Sequence, residues 1–247
     1  MARSEKVSAN TPWTDDELRQ SVDVYVLLLR LQLRGSEERS EPVAQALLLD
    51  PLVLRNDAAI RYRMRNISAV VKDLGGPVLT DFSPAESVGK LVRPRIRAML
   101  LDDPDFSRLL GPTPGVGGDD LGNAKKALSI LRRQIEDLEA ELAWRGRNGP
   151  PEANEVRTFK ATLHEARDDI RQVEAELEKT QPDKLIVEAG SSRLLAFAQK
   201  LMRWIGDRAT KFIDAALVAG APIVVAKATG LLPSIVNAME AVGRVGG

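Results

Sequence analysis

Apolar residues recur at intervals of three and four along most of the chain, which is the spacing of amphipathic helices. The first such stretch covers residues 14–34. It starts at Thr14, which forms the signature of a capping box with Glu17 three residues later, and it stops at Gly35, a residue type that commonly ends helices. The pattern predicts a capped helix with one apolar face.

Two further helices are predicted next, a short one near residues 41–49 and a longer one capped by Asn56. The longer helix has one apolar stripe, made by Ile60, Met64, Ile67, Val71 and Leu74. A stripe of this kind faces a core. We therefore predict a helical head domain over residues 13–110, preceded by a disordered tail over residues 1–12.

Residues 111–122 are dense in glycine and proline, which predicts a linker. After it, apolar residues follow coiled-coil spacing in two arms, separated by a break at residues 145–151. The arms place Leu128, Leu131, Ile135, Leu138 and Leu142, and then Val156, Phe159, Leu163, Ala166, Ile170, Val173 and Leu177, at seam positions. The simplest arrangement is an antiparallel coiled-coil hairpin over residues 123–181, although pairing between two chains satisfies the same seams.

The segment 182–247 predicts an amphipathic basic helix, followed by apolar helices in which Lys227 is the single charge between residues 215 and 239. That stretch has the length of a membrane span, but Pro222 and Pro233 interrupt it. Membrane association and packing against other helices both remain open. The candidate membrane or oligomer contacts are Phe212, Ile213, Leu217, Ile223, Val224, Lys227 and Leu231. The predicted fold class is therefore mainly α.

The amino-acid composition limits which cellular compartment and which binding partners are expected. Lysine plus arginine equals aspartate plus glutamate at 35 each, so binding to DNA or anionic lipid must come from a local patch. Cysteine is absent, which excludes disulfides, thiolate nucleophiles and cysteine-bound zinc. The first twelve residues lack the apolar region of a secretion signal. We expect a cytoplasmic protein, at the inner face of the cell membrane if the tail binds lipid.

No residue pattern indicates catalysis. His164 is the only histidine and lies beside a seam residue with no second histidine or cysteine, so we interpret it as structural. The glycine-rich stretch before Lys125 lacks the spacing of a phosphate-binding loop. We expect no catalytic residue, no metal site and no cofactor, and we predict that the protein is not an enzyme.

Basic residues are concentrated in the head domain. Between Arg55 and Arg97 there are nine basic and four acidic residues, a local excess of five positive charges. Four polar or basic residues of this region are predicted to share one face of the third helix, away from its apolar stripe, as expected for a helix laid against phosphates. The alternative is an ordinary solvated face. The candidate nucleic-acid-binding residues are Arg61, Arg65, Ser68, Lys72, Arg93, Arg95 and Arg97.

Three short motifs suggest a family: WTDDEL at 13–18, RNISAV at 65–70 and FSPAESVG at 82–89. With them, residues 13–100 resemble the N-terminal head domain of modification-dependent, McrA-like HNH restriction endonucleases. In that family the domain precedes modified-base-reading and nuclease modules, and neither is visible in this sequence. The resemblance implies a DNA-associated, defence-type context in a bacterium, and the missing modules argue against cleavage.

We therefore hypothesise a non-enzymatic bacterial defence-type protein. The head domain docks on DNA or a partner, the coiled coil directs assembly, and the apolar tail is a membrane-associated effector or anchor. The alternative is a soluble DNA-binding scaffold that recruits a separately encoded nuclease or helicase. The expected partners are DNA, further copies of the chain through the coiled coil or tail, membrane lipid, and such a nuclease or helicase.

Overall fold

A computed structural model of the chain describes residues 12–48, 52, 55–110, 119–147, 154–214 and 221–246. Within these residues the fold is mainly α-helical and has no β-strand, which confirms the predicted fold class. The helices are α1 (Asp15–Leu33), α2 (Ser40–Leu48), α3 (Asp57–Asp73), α4 (Val92–Asp102), α5 (Pro104–Leu110), α6 (Asp120–Arg147), α7 (Asn154–Leu177), α8 (Lys184–Asp214) and α9 (Ala221–Gly246).

The chain divides into two compact units, a head unit of Met1–Val116 and a second unit of Gly117–Gly247. The division falls within residues 111–122, the stretch that the sequence predicts to be a linker. The second unit contains α6–α9 and is called the bundle unit below.

Local sequence signals set the helix ends in the head unit. At the start of α1, the Thr14 hydroxyl accepts from the Glu17 amide at 3.2 Å, and the Glu17 carboxylate accepts from the Thr14 amide at 2.8 Å. The Asn56 side chain likewise accepts from the Ala59 amide at the start of α3. The first helix packs against α2, α3 and α4, so its apolar residues form the centre of the head core.

The segment between α3 and α4 has no regular structure, and polar side chains hold it on the helices. The Tyr25 hydroxyl lies 2.9 Å from the Ser68 hydroxyl and accepts from the Leu79 amide at 3.2 Å. The Asp81 carboxylate accepts from the Ser40 amide at the start of α2 at 2.6 Å. These buried and half-buried bonds satisfy backbone groups that no helix satisfies, and they fix the segment's path.

The bundle unit is an antiparallel four-helix bundle. Each helix packs on the next along the chain, and α9 packs on α6. Ion pairs across three of the interfaces show the antiparallel order: Lys125 with Glu178, Arg167 with Glu139, Arg193 with Asp169, Lys200 with Glu165, Lys227 with Glu141, and Arg244 with Asp120. Between α8 and α9, the Ser191 hydroxyl donates to the Met239 carbonyl at 3.4 Å. Up-and-down bundles with short connections have this topology.

The structure joins the segments 123–181 and 182–247, which the sequence predicts to be separate domains, into one unit. Most of the predicted seam residues, such as Leu131 and Leu163, are buried, whereas Val156 is partly exposed, and α6 packs on both α7 and α9. A two-helix coiled coil is therefore not established. Gly190 allows the close approach of α7 and α8, because a Cβ atom there would lie 2.3 Å from Val173.

Candidate nucleic-acid interface

The prediction that Ser68 lies on the surface and contacts phosphate is wrong. Ser68 is 0% exposed and its hydroxyl bonds to Tyr25, so it lies in the head core and not on the predicted basic face. The helical spacing places Ser68 near Arg61, Arg65 and Lys72, but the irregular segment packs over the middle of α3. Helix periodicity alone does not show that another segment packs over part of a helix face.

Two of the other α3 residues are engaged within the head unit. Arg61 is exposed and forms an ion pair with Glu41 of α2. The Arg65 Nε donates to the Ser83 carbonyl at 3.0 Å, and the Arg65 carbonyl accepts from the Ala85 amide. The predicted continuous basic stripe is therefore interrupted between the two ends of α3.

The remaining candidates lie at the end of α3 and on α4. Arg93 is exposed and forms an ion pair with Asp73, which places the start of α4 beside the end of α3. Arg97 follows one turn after Arg93 and is exposed, as is Lys72. Arg95 points elsewhere, because its guanidinium bonds to Asp15 at 2.7 Å.

Four exposed cations form what we call the α4 basic edge, defined as Lys72, Lys90, Arg93 and Arg97. Within the described part of the chain, Lys72, Lys90 and Arg97 make no side-chain hydrogen bond or ion pair. The first turn of α4 has no acidic residue and no side-chain cap. The Val92 and Arg93 amides donate to the Gly89 carbonyl, and Pro94 has no amide proton. The positive side chains, and not free backbone amides, therefore make this edge attractive to anions.

A second cluster surrounds Trp13, a residue that the sequence patterns do not mark as a candidate. The Cζ atoms of Arg55 and Arg63 lie 4.7 Å and 4.3 Å from the centre of the Trp13 ring. The Arg95 guanidinium donates to the Trp13 carbonyl at 3.1 Å. The side chains of Glu17 and Asp15 complete this Trp13 cluster by pairing with Arg55 and Arg95.

Arg63 has no carboxylate partner among the described residues. It is 5% exposed, and its Nε and Nη1 are buried without a hydrogen-bond acceptor. Burial, and secondly the charge of Arg55, lower the pKa of Arg63 to about 10. One turn further along α3, the Asn66 carboxamide oxygen is also buried without a donor. The one sequence signal for Arg63 is that it places a charge on the apolar face of α3, three residues after Ile60 and four before Ile67.

The structure describes three of the seven predicted membrane or oligomer contacts. Val224 and Leu231 are buried within the bundle unit, and this corrects their assignment to an outer contact surface. Lys227 is exposed and pairs with Glu141 of α6 at 3.2 Å. The side chains of Phe212, Ile213, Leu217 and Ile223 lie outside the described residues. Among the described residues, no helix is long and apolar enough to span a membrane.

His164 lies on the surface of the bundle unit. Its Nδ1 is 2.5 Å from an Arg167 nitrogen, and its Nε2 is 3.5 Å from Asp168. The described residues include no group of three or more histidine, cysteine or carboxylate side chains placed to hold a metal ion. The surroundings of His164 are therefore those of a surface residue with polar neighbours on its own helix.

Comparison with known proteins gives no family to which these features can be referred. No protein-family model, curated protein or solved structure matches the chain. The α4 basic edge and the Trp13 cluster are the two candidate sites of the head unit.

Proposed function

We propose that this chain is a non-enzymatic docking protein whose head unit binds nucleic-acid phosphates at the α4 basic edge. The observation that carries the proposal is the α4 basic edge, where Lys72, Lys90 and Arg97 are exposed and have no partner in the described part of the chain. Exposed lysine and arginine side chains bind phosphate oxygens through their charge.

The chemistry of the edge favours the backbone of DNA over its bases. Lysine side chains act as point charges, and the edge has no aromatic side chain on which a base can stack. Contacts of this kind position a protein on DNA and carry no direct sequence information. The head unit therefore supplies affinity that depends on salt and varies little with sequence.

The bundle unit is the assembly or recruitment module in this proposal. Val224 and Leu231 of α9 pack inside the bundle, so a membrane-bound effector or anchor requires that helix to leave its neighbours. That requirement favours the second candidate function, a DNA-binding scaffold that recruits a separate nuclease or helicase. The defence-type context follows from the resemblance to McrA-like head domains and is part of the same proposal.

Fluorescence anisotropy with a labelled DNA duplex tests the head unit. The triple variant Lys72→Glu, Lys90→Glu and Arg97→Glu should bind much more weakly than the wild type. Its slope of log affinity against log salt should be smaller by about 0.9 for each phosphate that the variant no longer neutralises. The matched control reverses Lys126, Lys184 and Arg133, three exposed cations of the bundle unit.

Equal affinity of the triple variant and the wild type would remove the α4 basic edge as the DNA site. An equal loss of affinity in the control variant would show that net charge alone drives binding. Flotation of the wild type with anionic liposomes separates the two roles of the bundle unit, since a scaffold stays at the bottom of the gradient and an anchor floats.

A further inference from the structure

A buried arginine without an acceptor is uncommon in proteins. Buried polar groups are normally hydrogen-bonded, and a buried charge without a partner strongly destabilises a fold. Arg63 breaks this rule twice, because both its Nε and its Nη1 have no acceptor among the described residues. Arg63 therefore has two buried donors that no described protein group accepts from.

We propose that Arg63 anchors a second anion site in the head unit, beneath the Trp13 ring, and that this site binds a phosphate group. The site is separate from the α4 basic edge. Its wall consists of the guanidinium groups of Arg55, Arg63 and Arg95 around Trp13.

The nearby carboxylates are already in use. Glu17 accepts from Arg55 at 2.7 Å and 2.8 Å through its two oxygens, and Asp15 accepts from Arg95. Three guanidinium groups thus face two carboxylates, which leaves one positive charge in excess. The proximity of like charges and the burial of Arg63 both favour the arrival of an anion.

The free donors define the chemical class of the ligand. The buried donors Nε and Nη1 lie on different edges of the guanidinium plane, so each can donate to a separate oxygen of an anion. A phosphate has further oxygens that can accept from the neighbouring guanidinium groups. It therefore neutralises the excess positive charge of the site more completely than a carboxylate does. The phosphate can be a free anion or part of a nucleic acid, and binding probes that differ only in this respect distinguish the two sources.

The Trp13 ring is the cover of the site. It is partly exposed and lies over the guanidinium of Arg63. An anion reaches Arg63 when the ring turns aside, which exchanges a cation–π contact for charge-assisted hydrogen bonds. Binding therefore changes the surroundings of the Trp13 indole, and this change gives an optical readout.

The first experiment is thermal unfolding of the full chain in inorganic phosphate and in sodium chloride of equal ionic strength. We expect phosphate to raise the midpoint of the wild type by several degrees, with saturation at high concentration. Arg63→Met should abolish this rise. Arg61→Met, which removes an exposed arginine two positions away, should retain it.

The same variants show whether Arg63 is only structural. Because Arg63→Met removes a buried charge that has no acceptor, its midpoint in sodium chloride should equal or exceed that of the wild type. A lower midpoint combined with an intact phosphate response would overturn the proposal. If Arg63→Met fails to fold, Arg63→Lys takes its place in the test. A lysine variant that keeps the full phosphate response would contradict a site that depends on the guanidinium group of Arg63.

Two further measurements complete the test. Phosphate should change the intrinsic fluorescence of the wild type and leave that of Trp13→Phe unchanged, and an unchanged wild-type signal counts against the site. Three probes, each added to the triple variant of the α4 basic edge so that binding there does not contribute, then identify the phosphate source: inorganic phosphate, a 5′-phosphorylated oligonucleotide and the same oligonucleotide without that phosphate. If none shifts the midpoint beyond the chloride control, the site does not exist.

Loss of this site and loss of the proposed function are distinguishable. The triple variant at the α4 basic edge leaves Arg63 unchanged, and Arg63→Met leaves the edge unchanged. Arg95 faces the Trp13 cluster, whereas Arg93 and Arg97 lie on another face of α4. Each variant therefore reports on one site.

Discussion

The head unit and the bundle unit use charged residues in different ways. In the bundle unit, cations lie opposite carboxylates of the neighbouring helix, as Arg132 does with Glu174 and Lys200 does with Glu165. In the head unit, Arg63 has no acid partner among the described residues, and the α4 basic edge has one acid, Asp73, for four cations. The bundle unit pairs many of its cations across its helices, whereas the head unit, which has 16 basic and 16 acidic residues, concentrates its unpaired cations at the α4 basic edge.

This difference indicates where each unit meets other molecules. Interhelical ion pairs on a surface contribute little stability, but they help to select the helix order. Exposed cations without a partner remain available to a ligand. The proposed recognition sites therefore lie in the head unit, although exposed cations such as Lys126 and Lys184 also occur on the bundle unit.

The largest expected effect comes from breaking the bundle core. Leu163→Ala removes a fully buried side chain from α7 and should lower the free energy of unfolding of the bundle unit by about 2–5 kcal/mol. Leu185→Ala is the control, because that leucine is 75% exposed. Hydrogen exchange of the α7 and α8 amides measures both. Equal protection in the two variants would show that the seam does not hold the bundle.

The head unit should respond to the loss of one hydroxyl. Tyr25→Phe leaves the Leu79 amide without its acceptor and the Ser68 hydroxyl without its partner, at a cost of about 1–3 kcal/mol. Tyr62→Phe removes a hydroxyl from a tyrosine that is 52% exposed and should have almost no effect. Urea denaturation followed by circular dichroism checks the pair. Similar midpoints would contradict the polar anchoring of the irregular segment.

The smallest expected effect is the loss of one carboxylate charge, that of Glu17 in the head unit, with Glu165 of the bundle unit as the comparison. Hydrogen bonds from Arg55, followed by bonds from Thr14, lower the pKa of Glu17. Because its folded pKa is depressed, Glu17 contributes stability above its unfolded pKa of about 4.3, and this contribution is lost as the pH falls through the folded value. Glu17→Gln keeps an acceptor but not the charge, so it should cost about 1 kcal/mol at pH 7.

Urea unfolding at pH 7 and pH 3 measures this effect. The difference between the wild type and Glu17→Gln should shrink at the lower pH. Glu165→Gln removes the charge from an exposed pair with Lys200, and it should change stability by at most a few tenths of a kcal/mol at pH 7. A pH-independent deficit in Glu17→Gln would mean that the ion pair with Arg55 does not carry the effect.

Local features of the fold were accessible from the sequence. The capping box of Thr14 and Glu17 and the cap at Asn56 join residues three apart, and such contacts depend on little beyond the helix itself. The buried stripes of α3 and of the bundle helices follow from helical spacing in the same way. Gly35 and Gly75 have φ values of 89° and 78°, as helix-ending glycines commonly do.

Tertiary partners were not accessible in this way. Helical spacing puts Ser68 on a polar face because nothing in the local pattern shows that the Tyr25 hydroxyl and the irregular segment cover that face. Arg63 meets Trp13, 50 positions away in sequence, and the convergence of three arginines there depends on how α1, α3 and α4 pack. The seam pattern likewise identifies buried faces, but it does not say that α9 closes the bundle against α6.

The even number of antiparallel helices has a practical consequence for experiments on the bundle unit. Arg244 in the last turn of α9 pairs with Asp120 in the first turn of α6, so the described chain leaves the bundle where it entered. A fluorescent label attached after residue 246 therefore sits beside the start of α6. It does not sit at the far end of a rod that, for the 28 residues of α6, is about 42 Å long.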